Sequence, residues 1–213
     1  MPSPSLLARV DHLIYTTPDL DRGIAEIELL LGVRPTLGGR HPTWGTHNAF
    51  AALGPTSYLE ILAPDSEHLP SSGWRPFGLD VRGRSRLTAW AAKARGLAEF
   101  RKEAARHGVE LGTVLGGSRQ QSGGTLLTWQ LTDLRCVVAD GIVPFFIDWE
   151  QSPHPALAAP QGAILAELLA EHPDADRVSR MLRAVALDLP VAVGPAPALI
   201  AQIDCPKGRV ELR

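Results

Sequence analysis

Cysteine is scarce: the 213 residues hold two, Cys136 and Cys205. They lie far apart and neither belongs to a Cys-x-x-Cys pair. A disulfide-stapled secreted fold and a cysteine-based zinc site are therefore both disfavoured, and two free thiols in a reducing compartment are expected. An excess of one charge is also missing. Lys and Arg number 21 against 23 Asp and Glu, for a net charge of −2. No basic cluster sits beside an amphipathic stretch, so neither nucleic acid nor a membrane surface is expected as a partner. Long apolar runs are absent too: the longest uncharged stretches, 151–166 and 189–203, carry three prolines each and fall short of a bilayer span. Residues 1–9 contain no secretory core, and the chain reads as cytoplasmic. What remains is an ordinary globular composition, 45% hydrophobic and 21% charged, enough for one domain or two small ones.

The elements alternate clearly. The run Val10–Thr16 is short, β-branched and aromatic, which predicts a strand. Pro18-Asp19 follows as a helix start, and Leu20, Ile24, Ile27 and Leu31 form one apolar stripe that Gly32 ends. Leu37-Gly38-Gly39 marks a turn or bulge, and strands are expected over 46–53 and 57–63. The same β, α, β, β, β order recurs, with strands over 86–92, 110–116, 126–132 and 143–149 and a helix over 97–107 closed by Gly108. Gly32-Val33 matches Gly108-Val109, and Leu37-Gly38-Gly39 matches Leu115-Gly116-Gly117, at offsets of 76 and 78 residues. Two nearly equal offsets indicate an internal repeat. The predicted fold class is α+β: repeated βαβββ modules, about 9–65 and 84–150, whose curled mixed sheets form a cavity.

A third, shorter βαβββ-like unit is expected over 151–213. Pro173-Asp174 repeats the helix start, and Val178, Met181, Leu182 and Val185 repeat the stripe. Alignment sets Glu167 opposite His12 and Glu211 opposite Glu60. The segment 151–160, with three prolines, suits a connection over the surface.

Chemistry is sparse and therefore informative. Alternation puts Val10, His12 and Ile14 on one strand face, and Tyr58, Glu60 and Leu62 on another. A carboxylate on an apolar face needs a cation or donors. His12 and Glu60 could meet at a divalent metal, since imidazole and carboxylate are ordinary ligands for Zn, Fe, Mn, Ni or Co; a core histidine and a solvated glutamate are the plain alternative. The segment 38–48 holds three glycines, two histidines, an arginine and an asparagine. His41 or His47 could supply a metal ligand, a base or a substrate hydrogen bond. Arg40 could hold a carboxylate or phosphate; a polar hairpin is the alternative. Asp148, between aromatics in Pro144-Phe145-Phe146-Ile147-Asp148-Trp149, sits where Glu60 sits in the first module and is a further candidate. Trp44, Trp74, Trp90, Trp129 and Trp149 could wall an apolar pocket. His68, His107, His154 and His172 receive no role. No Gly-x-Ser-x-Gly elbow is present.

The strings V-D-H-L-I-Y-T-T-P-D-L-D, G-G-R-H-P-T-W-G-T-H-N and Y-L-E-I-L-A closely resemble glyoxalase-like domain proteins of the vicinal oxygen chelate superfamily. That group includes glyoxalase I, extradiol dioxygenases, methylmalonyl-CoA epimerase and the fosfomycin and bleomycin resistance proteins. P-F-F-I-D-W and the final V-E-L also look like this group. The resemblance implies a glyoxalase-like domain over 1–150, built from paired βαβββ modules around a cavity. It also implies a divalent metal, with His12 and Glu60 as the first module's ligands. The second module departs from the pattern, with Thr88 and Trp90 where a histidine would be expected and Asp148 in the last strand. Either His41 or His47 fills the gap, or the metal is weakly held or absent.

Two functions follow. One is a metal-dependent enzyme, of lyase, isomerase or dioxygenase type, that chelates the neighbouring oxygens of a small substrate. In it, His41, His47 or Asp148 moves the proton and Arg40, Asn48 and Trp44 orient the substrate. The other is a non-catalytic binding protein of the bleomycin-resistance type, which sequesters a small molecule. A homodimer is expected as an alternative to the monomer, because modules that pair within a chain can also pair between chains.

Overall fold

The structure, a computed structural model, describes residues 5–70, 73–120 and 126–213. A short helix α1 (Leu6–Arg9) leads into strand β1 (Val10–Thr16). Helix α2 (Leu20–Leu31) follows, with its predicted stripe buried. The Asp19 carboxylate accepts the Arg22 N–H at 2.8 Å, and Gly32 ends the helix at φ 71°, the left-handed geometry that glycine adopts without a Cβ penalty. Strands β2 (Thr36–His41), β3 (Thr46–Ala52) and β4 (Tyr58–Pro64) complete the first module. The second consists of β5 (Arg86–Lys93), α3 (Leu97–Arg106), β6 (Val114–Gln120), β7 (Leu126–Thr132) and β8 (Phe145–Asp148). Strand β6 starts later than 110, because Gly108 and Gly112 both hold positive φ and the chain is still turning there.

The two modules form one eight-stranded sheet in the order β2-β3-β4-β1-β5-β8-β7-β6. Within each module the first strand runs parallel to the last, β1 to β4 and β5 to β8. The modules join where β1 pairs antiparallel with β5. The sheet curls strongly: Asn48 and Phe50 from β3 and Trp129 and Leu131 from β7 line one cavity, although four strands separate them. Helix α2 packs on β3 and β4, and α3 on β7 and β8. Among the described residues, no helix is long and apolar enough to cross a membrane.

The remaining chain forms β9 (Ile164–His172), α4 (Ala175–Ala184), β10 (Val191–Val193), β11 (Ala198–Cys205) and β12 (Gly208–Leu212). The element order is the expected βαβββ, but the sheet is not. Its order is β10-β9-β11-β12, so the first strand lies inside rather than beside the last. Glu167 and Glu211 both pair with Gln202 and are exposed, so they do not correspond to His12 and Glu60. Segment 151–160 does not simply cross the surface. Pro155 and Ala156 are buried, Ala156 and Ala159 pack with Phe50, Ala52 and Tyr58, and the Ala52 N–H donates to Pro160 O at 2.9 Å. One continuous core includes Leu13, Ile27, Trp90, Phe146, Leu168, Leu182 and Ile203, and so binds both modules and the C-terminal unit together.

Candidate functional site

Strand β1 carries a bulge. Val10 pairs with Ala92 and His12 with Ala91, leaving Asp11 without an opposite residue. A bulge re-aims side chains. Here it brings the Asp11 carboxylate against its neighbour, with His12 Nδ1 2.8 Å from Asp11 Oδ1 and both side chains buried. Two more donors reach Asp11 from far along the chain. Trp149 Nε1–H lies at 3.1 and 3.2 Å from the two carboxylate oxygens, and His154 Nε2 at 3.2 Å from Oδ2. The Ala156 N–H donates to His154 Nδ1 at 3.2 Å, which assigns the His154 proton to Nε2. Burial alone would push the Asp11 carboxyl up. The N–H groups of His12 and His154 outweigh it and hold the carboxyl well below its ordinary range, so Asp11 is ionised and His12 donates from Nδ1.

This leaves His12 Nε2 for the cavity. It lies 3.5 Å from Glu60 Oε2. A lone pair on Nε2 facing a carboxylate oxygen is repulsive unless a proton or a cation sits between them. The spacing is also that of two ligands each about 2.1 Å from one tetrahedral ion, so this pair fits a shared metal. Glu60 is held from its other oxygen: Asn48 Nδ2 donates to Oε1 at 2.6 Å, and the Gly39 N–H donates to Asn48 Oδ1 at 2.8 Å. Tyr58 stacks on the His12 ring at 4.6 Å and 19°, and Phe145 meets it edge-on at 5.5 Å. His12 and Glu60, with Asn48 and His41, are the polar members of a cavity otherwise walled mainly by Trp44, Phe50, Phe77, Trp129 and Trp149.

The other candidates divide. His41 lines the cavity, with Nδ1 3.1 Å from Thr46 Oγ1, and Trp44 lies beside it. Asn48 is in the cavity, bonded to Glu60. His47 lies between Thr46 and Asn48 on β3, on the opposite face, outside the lining. Arg40 turns away: its guanidinium bonds Asp65 at 2.7 and 2.8 Å and Glu67 at 2.8 Å. Asp148 shares a strand face with Phe146, which is in the core, whereas Phe145 and Ile147 face the cavity. Asp148 accepts the Glu150 N–H at 2.9 Å and lies 3.4 Å from Arg95. Trp90 donates from Nε1 to Ile142 O in the core, and Trp74 packs under Arg135.

The second module therefore presents a different set from the expected one. Ala91 and Ala89 stand opposite His12 and Ile14 on β1, and so share their face in place of Thr88 and Trp90. Phe145 and Ile147 continue that wall. Among the described residues, one group of three metal-ligating side chains comes within 4.8 Å, namely Asp65, Glu67 and His68. The Arg40 guanidinium already bridges its two carboxylates. Sequence reasoning missed Asp11, Tyr58 and His154. The adjacency of Asp11 to His12 was the one signal for the first; alternation alone turned it to the wrong face. Nothing local marks His154, which lies 143 residues from its partner.

Comparison with known proteins supports this architecture. The profile of a family described as Glyoxalase-like domain matches residues 10–186. No curated protein matches the chain. A hypothetical protein from Staphylococcus aureus superposes with a TM-score of 0.65 at 17% identity, covering 95% of this chain and 83% of its own. A methylmalonyl-CoA epimerase from Mycobacterium tuberculosis gives a TM-score of 0.43 at 18% identity, covering 69% and 90%.

Proposed function

The chain belongs to the glyoxalase-like domain family, and from that premise we propose that its cavity binds a small oxygenated ligand at a divalent metal ion held by His12 and Glu60. The observation that carries this reading is the approach of His12 Nε2 and Glu60 Oε2 to 3.5 Å in an aromatic cavity. The donor set suits Zn, Fe, Mn, Ni or Co. When bound, such an ion supplies Lewis acidity to two neighbouring ligand oxygens.

The chain's own groups have separate tasks. Asp11 keeps the His12 proton on Nδ1, so that Nε2 stays available. Asn48 orients Glu60 through Oε1 and leaves Oε2 facing His12. The aromatic walls exclude water, which strengthens every charge interaction inside. His41, on the wall, is the group assigned to proton transfer.

One observation favours binding without turnover as a second reading. Ala89, Ala91, Phe145 and Ile147 stand where a second pair of ligands would face the first. Titration of divalent metals into the purified protein by calorimetry tests the site. Near-stoichiometric binding that is lost in His12→Ala and Glu60→Gln is expected; wild-type protein that takes up no metal refutes it. Thermal stabilisation by small aromatic compounds without product formation then identifies the sequestering form.

A further inference from the structure

The inner cavity is small. It encloses about 60 Å³, whereas ligand sites ordinarily hold about 300–1,000 Å³. It has room for a compact group among His12, Glu60 and the aromatic walls. Next to it is a groove of about 440 Å³ between the second module and the C-terminal unit. The two spaces share one partition, formed by Phe77, Leu134 and Phe145. The groove beyond it is mainly apolar, with Ala89, Val138 and Leu199 among its walls and the exposed residue Cys136 at its side.

The partition stands on a strained backbone. Phe77 has φ 58°, between Gly73 at 66° and Gly78 at 63°. Across the groove Asp140 holds φ 55°, fixed by His172 Nε2 at 3.1 Å from its carboxylate. Positive φ at residues with a Cβ is a strained geometry that concentrates at ligand clamps and switches. Phe77 stacks loosely on Phe145, 5.7 Å between centroids at 34°, and is half-buried.

The geometry points to one elongated ligand that occupies both spaces: a compact head with two neighbouring oxygens at His12 and Glu60, and an unbranched apolar tail that passes Phe77 into the groove. This inference rests on the head-site reading above and adds the substrate class, an amphipathic molecule rather than a small polar one. It also gives the C-terminal unit a part in binding, through Leu199 and the residues before it.

Straight-chain hydroxamic acids of two to ten carbons are suitable probes, since their head offers two neighbouring oxygens. Affinity for the zinc-loaded protein is followed by tryptophan fluorescence. Short chains are expected to bind with nearly constant affinity. Once the tail passes the partition, each methylene is expected to add about three- to fourfold. In Val138→Trp, with folding checked by thermal melting, the ratio of long-chain to short-chain affinity is expected to fall towards one. In a Cys205→Ser background, the ten-carbon probe is expected to slow maleimide labelling of Cys136, and the two-carbon probe is not. A flat series, a slope that survives Val138→Trp, unprotected Cys136 or no binding at any length overturns the proposal. A flat series with metal-dependent binding of the head leaves the head site standing, and so separates the two failures.

Discussion

At the residue scale, the proposed site rests on a buried aspartate behind His12. Asp11 collects N–H groups from His12, Trp149 and His154. An amide in its place keeps one acceptor oxygen and turns a donor towards either His12 or His154, both of which donate to Asp11, so one of these N–H groups loses its acceptor and the charge that holds the His12 proton on Nδ1 is gone. Asp11→Asn is therefore expected to weaken metal binding about 10–100-fold and to cost about 1–3 kcal/mol of stability at neutral pH, measured by calorimetry and urea unfolding. The pH dependence has a definite sign. The Asp11 carboxyl lies below its ordinary range in the folded protein. Its contribution is complete above the unfolded value, about pH 4, and is lost as the pH falls towards the folded one. The stability gap between wild type and Asp11→Asn should narrow from about pH 4 downwards. A constant gap would show that the residue contributes by shape alone.

At the scale of elements, the Gly-Gly mark shared by the two modules has a local cause. A Cβ on Gly38 would lie 2.2 Å from Asn48 Oδ1 and 2.7 Å from Phe50. Strand β2 can therefore lie against Asn48, and Asn48 can reach Glu60, because Gly38 has no side chain. Gly117 serves Trp129 in the same way, with a Cβ at 2.4 Å from its indole, while Gly116 has open space around it. Gly38→Ala is expected to lower stability by about 1–3 kcal/mol and to weaken metal binding through Asn48. Gly116→Ala should stay within about 0.5 kcal/mol. Equal effects in thermal melts of the two variants would refute this account. Such elements were legible in the sequence because helix caps, apolar stripes and strand alternation are set by neighbours a few residues apart. The β1 bulge was not, because the extra residue exists only relative to the register of β5.

At the scale of the molecule, the C-terminal unit is part of one core. Leu168, Leu182 and Ile203 pack into the same cluster as Leu13, Ile27 and Phe146. Leu182→Ala is expected to cost about 2–5 kcal/mol. All five tryptophans lie before residue 150, so their fluorescence reports the modules alone, while far-UV circular dichroism reports the whole chain. The two signals should shift together in the variant, as one cooperative transition. Separate midpoints would mean that the unit folds independently.

By itself the sequence determined the elements, the repeat and the family, since short-range spacing and local motifs carry all three. The convergence of His12 and Glu60 was foreseeable only as a possibility of two strand faces. Tertiary structure decided that Asp11 joins them, that Trp149 and His154 secure it, and that the second module presents alanine and aromatic side chains instead of ligands. Those outcomes depend on strand register and on the closure of a curled sheet, which bring together groups separated by up to 143 residues and leave no trace in the spacing of the chain.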